Sequence, residues 1–247
     1  MRKSFILTLA ISLAIVSIFL QGGTRIINWG LTPNTKEQTP GIPASAREIL
    51  EKHNGIFVGD TTKKEVYFTF DLGYEAGFTN DVLDILKANN IRAIFFLCGN
   101  YLKETDLVTR MIDDGHTIGN HTDHHRDLPT LPDDAIRKDI ADFTTKFNEK
   151  YTSEIKHFRP GKGRFDERTL KIANEQNLKT VMWSGAIVDW GKEPINPTTS
   201  SDKITSRIHP GAILLFHISN SGMPKMLEQL VPKLTEKGYT IGDAGKL

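Results

Sequence analysis

The sequence predicts an α/β protein built on a mainly parallel sheet, closed as a barrel or doubly wound. Strand-like and helix-like stretches alternate from about residue 65 to the C-terminus, the pattern of repeated βα units. The stretches 93–97 and 211–216 are apolar without alternation, as in strands covered on both faces. The stretch 51–247 is long enough to bury one core.

The elements follow from local patterns. Residues 31–46 hold three prolines and few large apolar side chains and read as a linker, followed by a short helix at 46–53. Residues 66–70 are β-rich. Thr79 is suited to cap a helix whose apolar face carries Val82, Leu83, Ile85 and Leu86. A buried strand is expected at 92–97, a helix through 107–112 ending before Gly115, and a short strand at 116–119. A long amphipathic helix covers 132–150, with a short strand at 157–159 and a helix at 167–176. Extended segments are expected at 180–184 and 186–188, a helix through 204–208, a strand at 211–216, a helix at 225–237 and a last strand at 239–241.

Residues 1–23 stand apart. Arg2 and Lys3 precede an uncharged apolar run at 5–20, the layout of an export segment. As a helix this run spans about 24 Å, against roughly 30 Å for a bilayer core. The one A-x-A sequence, Ala44-Ser45-Ala46, lies far downstream, so a cleaved signal peptide and a retained anchor both fit. Ile26, Ile27 and Trp29 extend the run or sit at the interface. The expected organisation is a signal peptide or signal anchor at 1–23, a linker and short helix at 24–50, and one folded domain at 51–247. The expected location is extracytoplasmic, in the cell envelope, secreted or tethered to the membrane.

Composition narrows the function. Thirty-one Lys and Arg against 30 Asp and Glu give a net charge of +1, which lacks the basic excess of a nucleic-acid binder. Hydrophobic residues make up 38% and charged residues 25%, a globular composition. Cys98 is the single cysteine, which excludes an internal disulfide and any CxxC redox or zinc-ribbon site.

The informative polar residues sit at strand ends. Asp71 follows Phe70, Arg159 follows Phe158, Asp189 and Trp190 follow Val188, His217 follows Phe216, and His121 and His125 follow the strand that ends near Asn120. The C-terminal rim of a parallel barrel is where active sites are built. His121 and His125 are spaced i and i+4, so one helical turn lets both imidazoles reach one ion; a solvated polar loop is the plain alternative. His124 and Asp123 read as bystanders. Asp71 suits general-base work or a turn, Glu75 an exposed loop. Arg159 suits pairing with a carboxylate, His217 general-acid work, and Trp190 a sugar-stacking wall.

Taken together, Thr69-Phe70-Asp71-Leu72-Gly73, His121-Thr122-Asp123-His124-His125, Arg159-Pro160-Gly161-Lys162-Gly163, Asp189-Trp190 and Leu215-Phe216-His217 resemble, in this order, the motifs of polysaccharide deacetylases with the NodB homology domain. The resemblance covers about residues 55–245. It is strongest toward the branch that de-N-acetylates muramic acid during δ-lactam formation in the spore cortex, through the runs HNGIFVGDTTKK, FDLGYEAGFT and IHPGAILLFH.

The resemblance implies a distorted (β/α) barrel and metal-assisted amide hydrolysis. Asp71 is then the general base, His121 and His125 the metal ligands, Arg159 the residue that orients Asp71, His217 the general acid and Asp189 the residue that tunes it. Trp190, Leu215 and Pro160 line the substrate site. The family usually carries a second Asp as a third metal ligand, where this chain has Leu72, so the implied cofactor is a weakly bound divalent ion, zinc above others. The implied substrate is peptidoglycan glycan strands, met by a monomer, with a cell-wall amidase as a candidate to act first. The alternatives are a deacetylase of N-acetylglucosamine in peptidoglycan or another glycan, and a catalytically silent wall-binding module.

Overall fold

The computed structural model describes residues 25–32, 37–191 and 193–247; the expected export segment lies outside them. The elements are, in order, β1 (Ile27–Asn28), α1 (Ala44–Lys52), β2 (Glu65–Leu72), α2 (Thr79–Ala88), β3 (Ile94–Leu97), α3 (Thr105–Asp113), β4 (Thr117–Asn120), α4 (Asp133–Asn148), β5 (His157–Phe158), β6 (Arg164–Phe165), α5 (Glu167–Glu175), β7 (Lys179–Thr180), β8 (Gly185–Ala186), α6 (Pro197–Thr205), β9 (Ala212–Phe216), α7 (Met223–Glu236) and β10 (Thr240–Ile241). The main sheet has the order β7-β5-β4-β3-β2-β9-β8, and β10 pairs with the start of β2. Every pairing in it is parallel, so the expected α/β architecture with a curled parallel sheet is the observed one.

Alternation along the strands separates two layers. Phe68, Phe70, Phe95, Leu97, Leu214 and Phe216 pack with Leu83 and Leu86 of α2, Val108 of α3 and Leu227 and Leu230 of α7 in the main core. The opposite, concave face carries a smaller apolar floor of Tyr67, Ile94, Phe96, Val181, Ile213 and Ala244. In β2, Tyr67, Thr69 and Asp71 share the period-2 face that looks into the barrel. The expected strand at 66–70 therefore runs on to Leu72, because Asp71 and Leu72 keep their ladder with Phe96 and Leu97.

Strand register sets the heights of the candidate residues. Phe70 is level with Phe216, so Asp71 and His217 leave β2 and β9 at one height. Asn120 is level with Phe158, so His121 and Arg159 do the same from β4 and β5. Asp71, Phe96 and Gly119 lie in one row.

The sheet does not close by a ladder. β7 and β8 are at its two ends, yet residues 181–184 run directly from one to the other. The amides of this seam donate to Phe158 O (Val181, 2.8 Å), Ile56 O (Met182, 2.8 Å) and Ile213 O (Ser184, 2.9 Å). Its carbonyls are met by side chains. Arg159 Nε donates to Val181 O at 2.7 Å and Nη2 to Met182 O at 3.4 Å, and Trp29 Nε1 donates to Trp183 O at 3.1 Å.

Trp29 belongs to an arm that packs on the body instead of prolonging the upstream apolar run. β1 pairs antiparallel with β6, Ile27 is buried, and the Trp29 indole meets Phe57, Phe165 and Trp183.

Several helix and strand bounds differ from expectation for identifiable reasons. α6 starts at Pro197 because Asn196 caps it, accepting from Thr199 N–H, and it stops at Thr205, so 206–208 are not helical. Thr79 does not cap α2; Glu75 does, accepting from the Gly77 and Thr79 amides. The extended stretches expected at 180–184 and 186–188 reduce to the short β7 and β8, because the seam between them makes only single backbone bonds, to Phe158, Ile56 and Ile213, in place of a continuous ladder.

Gly119 is a tight point of the barrel floor. A Cβ there would collide with Phe96 Cδ1 and lie 2.6 Å from its Cε1, and Phe96 is fully buried. Gly119→Ala should therefore destabilise the protein by about 1–3 kcal/mol, the usual cost of overpacking. Thermal or denaturant unfolding checks this, and adding Phe96→Leu should recover part of the loss.

Candidate active site

Arg159 lies on the apolar floor, with its guanidinium 4.2 Å above the Phe96 ring and 5.6 Å from that of Trp183. It has no exposed surface. Its Nη1 donates to Thr69 Oγ1 at 2.9 Å and to Asp71 Oδ1 at 2.8 Å. Asp71 is buried. Burial works to raise its carboxyl, but the charge of Arg159 above all, helped by His217 and the Arg159 hydrogen bond, outweighs it, so Asp71 is held below the usual carboxylate range.

His121 Nδ1 lies 2.8 Å from Arg159 O. A carbonyl only accepts, so Nδ1 carries the proton and Nε2 keeps its lone pair, 3.6 Å from Asp71 Oδ2. Burial, opposed by Asp71, pushes this imidazole down to about 4, which keeps it neutral. The His125 ring centroid is 5.0 Å away, packed against Gly161, where a Cβ would lie 3.1 Å from His125 Cδ2.

The spacing of the two histidines suggested a helical turn, and the structure corrects this. Residues 121–125 form a non-helical bend in which Thr122 (φ 68°) and His125 (φ 54°) are left-handed. Asp123 and His124 do not line the cleft, but both are held by α4. Asp123 is buried and accepts two hydrogen bonds from Lys146 Nζ, at 2.8 and 2.6 Å, and His124 Nδ1 is 2.7 Å from Asp139 Oδ1.

Across the cleft, Asp189 is fully buried. Its Oδ2 accepts from the His217 amide at 2.7 Å and its Oδ1 is 2.8 Å from His217 Nδ1. Burial works to lower the His217 imidazole, but the hydrogen bond and charge of Asp189, helped by Asp71, carry it above its ordinary value.

Asp71, His121, His125, His217 and Trp190 line one cleft of about 400 Å³. Leu215 and Pro160 do not. Leu215 is buried in β9, paired with Thr69 and Ala186, and Pro160 is buried in the turn that fixes Arg159. Tyr74, Asn100, Ile218 and Ser219 line the cleft instead. Tyr74 and Trp190 are 58% and 62% exposed, two large aromatic surfaces left in water at one opening.

The donor chemistry fits a divalent ion. One imidazole is neutral with its Nδ1 proton engaged by a backbone carbonyl and its Nε2 lone pair available, and a second stands beside it. Leu72 adds no donor, and among the described residues no three His, Cys, Asp or Glu side chains form a group able to hold a metal. Glu75 does not fill the gap: Oε2 is taken by Thr79 Oγ1 (2.5 Å) and Tyr101 OH (2.6 Å), and Oε1 by the capped amides.

The polysaccharide deacetylase family profile matches residues 58–181. The chain is 34% identical over 241 residues to the peptidoglycan-N-acetylmuramic acid deacetylase PdaA of Bacillus subtilis, covering 93% of this chain and 91% of that one. The solved structure of B. subtilis PdaA, a family 4 carbohydrate esterase, superposes with a TM-score of 0.86 at 33% identity, over 90% of this chain and 96% of that chain. A peptidoglycan-N-acetylglucosamine deacetylase of Bacillus cereus is 35% identical over 194 residues, 76% of this chain and 70% of its own length.

The His217–Asp189 pair has a direct spectroscopic consequence. In Asp189→Asn the imidazolium loses its anionic partner, so the His217 titration should move to lower pH. Proton NMR of the ring signals checks this; an unmoved midpoint would mean that Asp189 does not stabilise the charged form.

Proposed function

The chain belongs to the polysaccharide deacetylase family and is a hydrolase of amide bonds, and from that premise we propose that it removes the N-acetyl group of muramic acid in peptidoglycan, in δ-lactam formation of the spore cortex. The observation that carries the reading is the pairing, in one cleft, of an ionised carboxylate with a free oxygen and an imidazole held toward its protonated form by a buried aspartate. Similarity to the muramic acid deacetylase over nearly the whole chain supports the choice of sugar. The N-acetylglucosamine deacetylase relative keeps that sugar as the second reading.

In this mechanism Arg159 occupies Asp71 Oδ1 and leaves Oδ2 to take a proton from the attacking water. His217, whose Nδ1–H is engaged by Asp189, gives the Nε2 proton to the leaving sugar nitrogen as its bond to the acetyl carbon breaks. The products are acetate and a free amine. Trp190 offers its exposed ring to the glycan. His121 and His125 would hold a divalent ion, zinc in this reading, which when bound would polarise the acetamide carbonyl and acidify the water that so weakly basic a carboxylate must deprotonate. The glycan substrate lies outside the cytoplasmic membrane, and the export segment expected at 1–23 supports work there.

Incubating purified peptidoglycan with the enzyme should remove one acetyl group per muramic acid, read by mass spectrometry. Loss from glucosamine alone would favour the second reading. Asp71→Asn and His217→Ala should each lower acetate release by about 10²–10⁴-fold, the usual worth of a general base or acid, with circular dichroism unchanged. Activity close to wild type in either variant removes that residue from the mechanism.

The missing carboxylate at Leu72 gives a further test. Leu72→Asp should raise zinc affinity in calorimetry, because an anionic ligand would replace a water. Equal affinity in wild type would mean that another side chain already completes the ion's shell.

A further inference from the structure

We propose that helix α4 holds the 121–125 loop in its ion-binding shape, and that Asp139 and Lys146, which do not line the cleft, are positioning residues for the divalent ion. The inference rests on the reading of His121 and His125 as the ion's ligands.

The loop is held in a costly conformation. Thr122 and His125 both have positive φ, and a β-branched residue in that region is a true outlier. Such conformers persist only where the surroundings over-determine them. Here the surroundings are α4 and its partners. The Thr122 amide donates to Asn120 Oδ1 at 2.8 Å, and Asn120 Nδ2 donates to Ile140 O at 2.8 Å and Thr144 Oγ1 at 3.1 Å. The Asp123 amide donates to Asp139 O at 3.1 Å. Lys146 Nζ bonds both carboxylate oxygens of Asp123, and Asp139 Oδ1 meets His124 Nδ1. Gly99 closes the other side. Its amide donates to Thr122 O (3.2 Å) and Asp123 O (3.1 Å), and a Cβ there would collide with Asp123 Oδ1.

Asp123 and Asp139 are 4% and 2% exposed. Buried carboxylates are expensive and give little net stability even when paired. The other buried residues of α4, Ile136, Ile140, Phe143 and Phe147, are apolar. A helix that needed only to pack would not carry Asp139 on that face. What the buried charges accomplish is to fix residues between the two histidines, so that the ends of the bend turn both rings into one cleft. The outer partners of metal ligands characteristically act this way, and their loss lowers metal affinity about 10–100-fold.

The test uses the full chain in wild-type, Lys146→Met, Asp139→Asn and Lys146→Arg forms. Zinc affinity is measured by calorimetry, and amide hydrogen exchange is measured on the metal-free proteins. Lys146→Met should weaken zinc binding about 10–100-fold. It should speed exchange at the Asp123 and His125 amides while the amides of β2 and β3 stay protected, and Lys146→Arg should restore most of both. If Lys146→Met does not fold, Asp139→Asn carries the same expectation. Unchanged zinc affinity with unchanged loop exchange overturns the proposal. So does exchange that rises evenly through the strands, because α4 would then serve the fold alone. If wild type and a His121→Ala, His125→Ala double variant bind zinc equally, the ion reading under the proposed function fails, and the exchange result alone upholds or overturns the clamp.

Discussion

The structure depends on one buried cation. The Arg159 guanidinium has no exposed surface, and its donors are divided between two tasks. Nε and Nη2 satisfy carbonyls of the 181–184 seam, where no continuous ladder closes the sheet, while Nη1 holds Thr69 and the candidate base Asp71. A lysine would bring a single point charge to a place that needs a planar fork, and burial would shift it toward the neutral form. Closing the barrel and ionising Asp71 are thus two results of the same group. Asp71 is in turn the counter-charge that makes a buried guanidinium tolerable, since a lone charge in the core would be far too costly.

The remaining site is arranged around that pair by rigid elements. Register brings His217 level with Asp71 and His121 level with Arg159. The Arg159 carbonyl then fixes the His121 tautomer. On the opposite wall, Asp189 holds both the backbone and the ring of His217. Asp71, His121 and His217 are each gripped at a second point, so these three need little rearrangement before a substrate arrives.

The sequence made the outline of this site legible because apolar strands that stop at a charged residue are hard to explain by packing. Asp71, Arg159 and His217 stand out for that reason; Asp71 and His217 line the cleft, and Arg159 is buried beneath it, bonded to Asp71. Spacing was less informative. Five residues can bring both ends together through a helical turn or through a left-handed bend, and His121 to His125 use the bend. Leu215 sits beside Phe216 and His217 in sequence, but its ladder partners keep it inside the sheet and out of the cleft. Glu75 looked like a loose loop carboxylate, yet Thr79 and Tyr101 engage it. Asp139 and Lys146 gave no signal, because charged positions on an amphipathic helix look like its solvent face. Tyr74 and Asn100 reach the cleft through loop geometry that no local pattern encodes.

The arm ahead of α1 sets limits on how the protein can mature. Ile27 and Trp29 are part of the barrel's wall, and the Trp29 indole supplies the seam with a donor for Trp183 O. Ala46, the last residue of the one small-x-small sequence, is buried inside α1. A processing protease that cut there would strip the arm away and leave that carbonyl and the faces of Phe57 and Phe165 bare. Any cut that preserves the barrel would have to fall upstream of Ile27. A shortened enzyme prepared for laboratory work should begin there too.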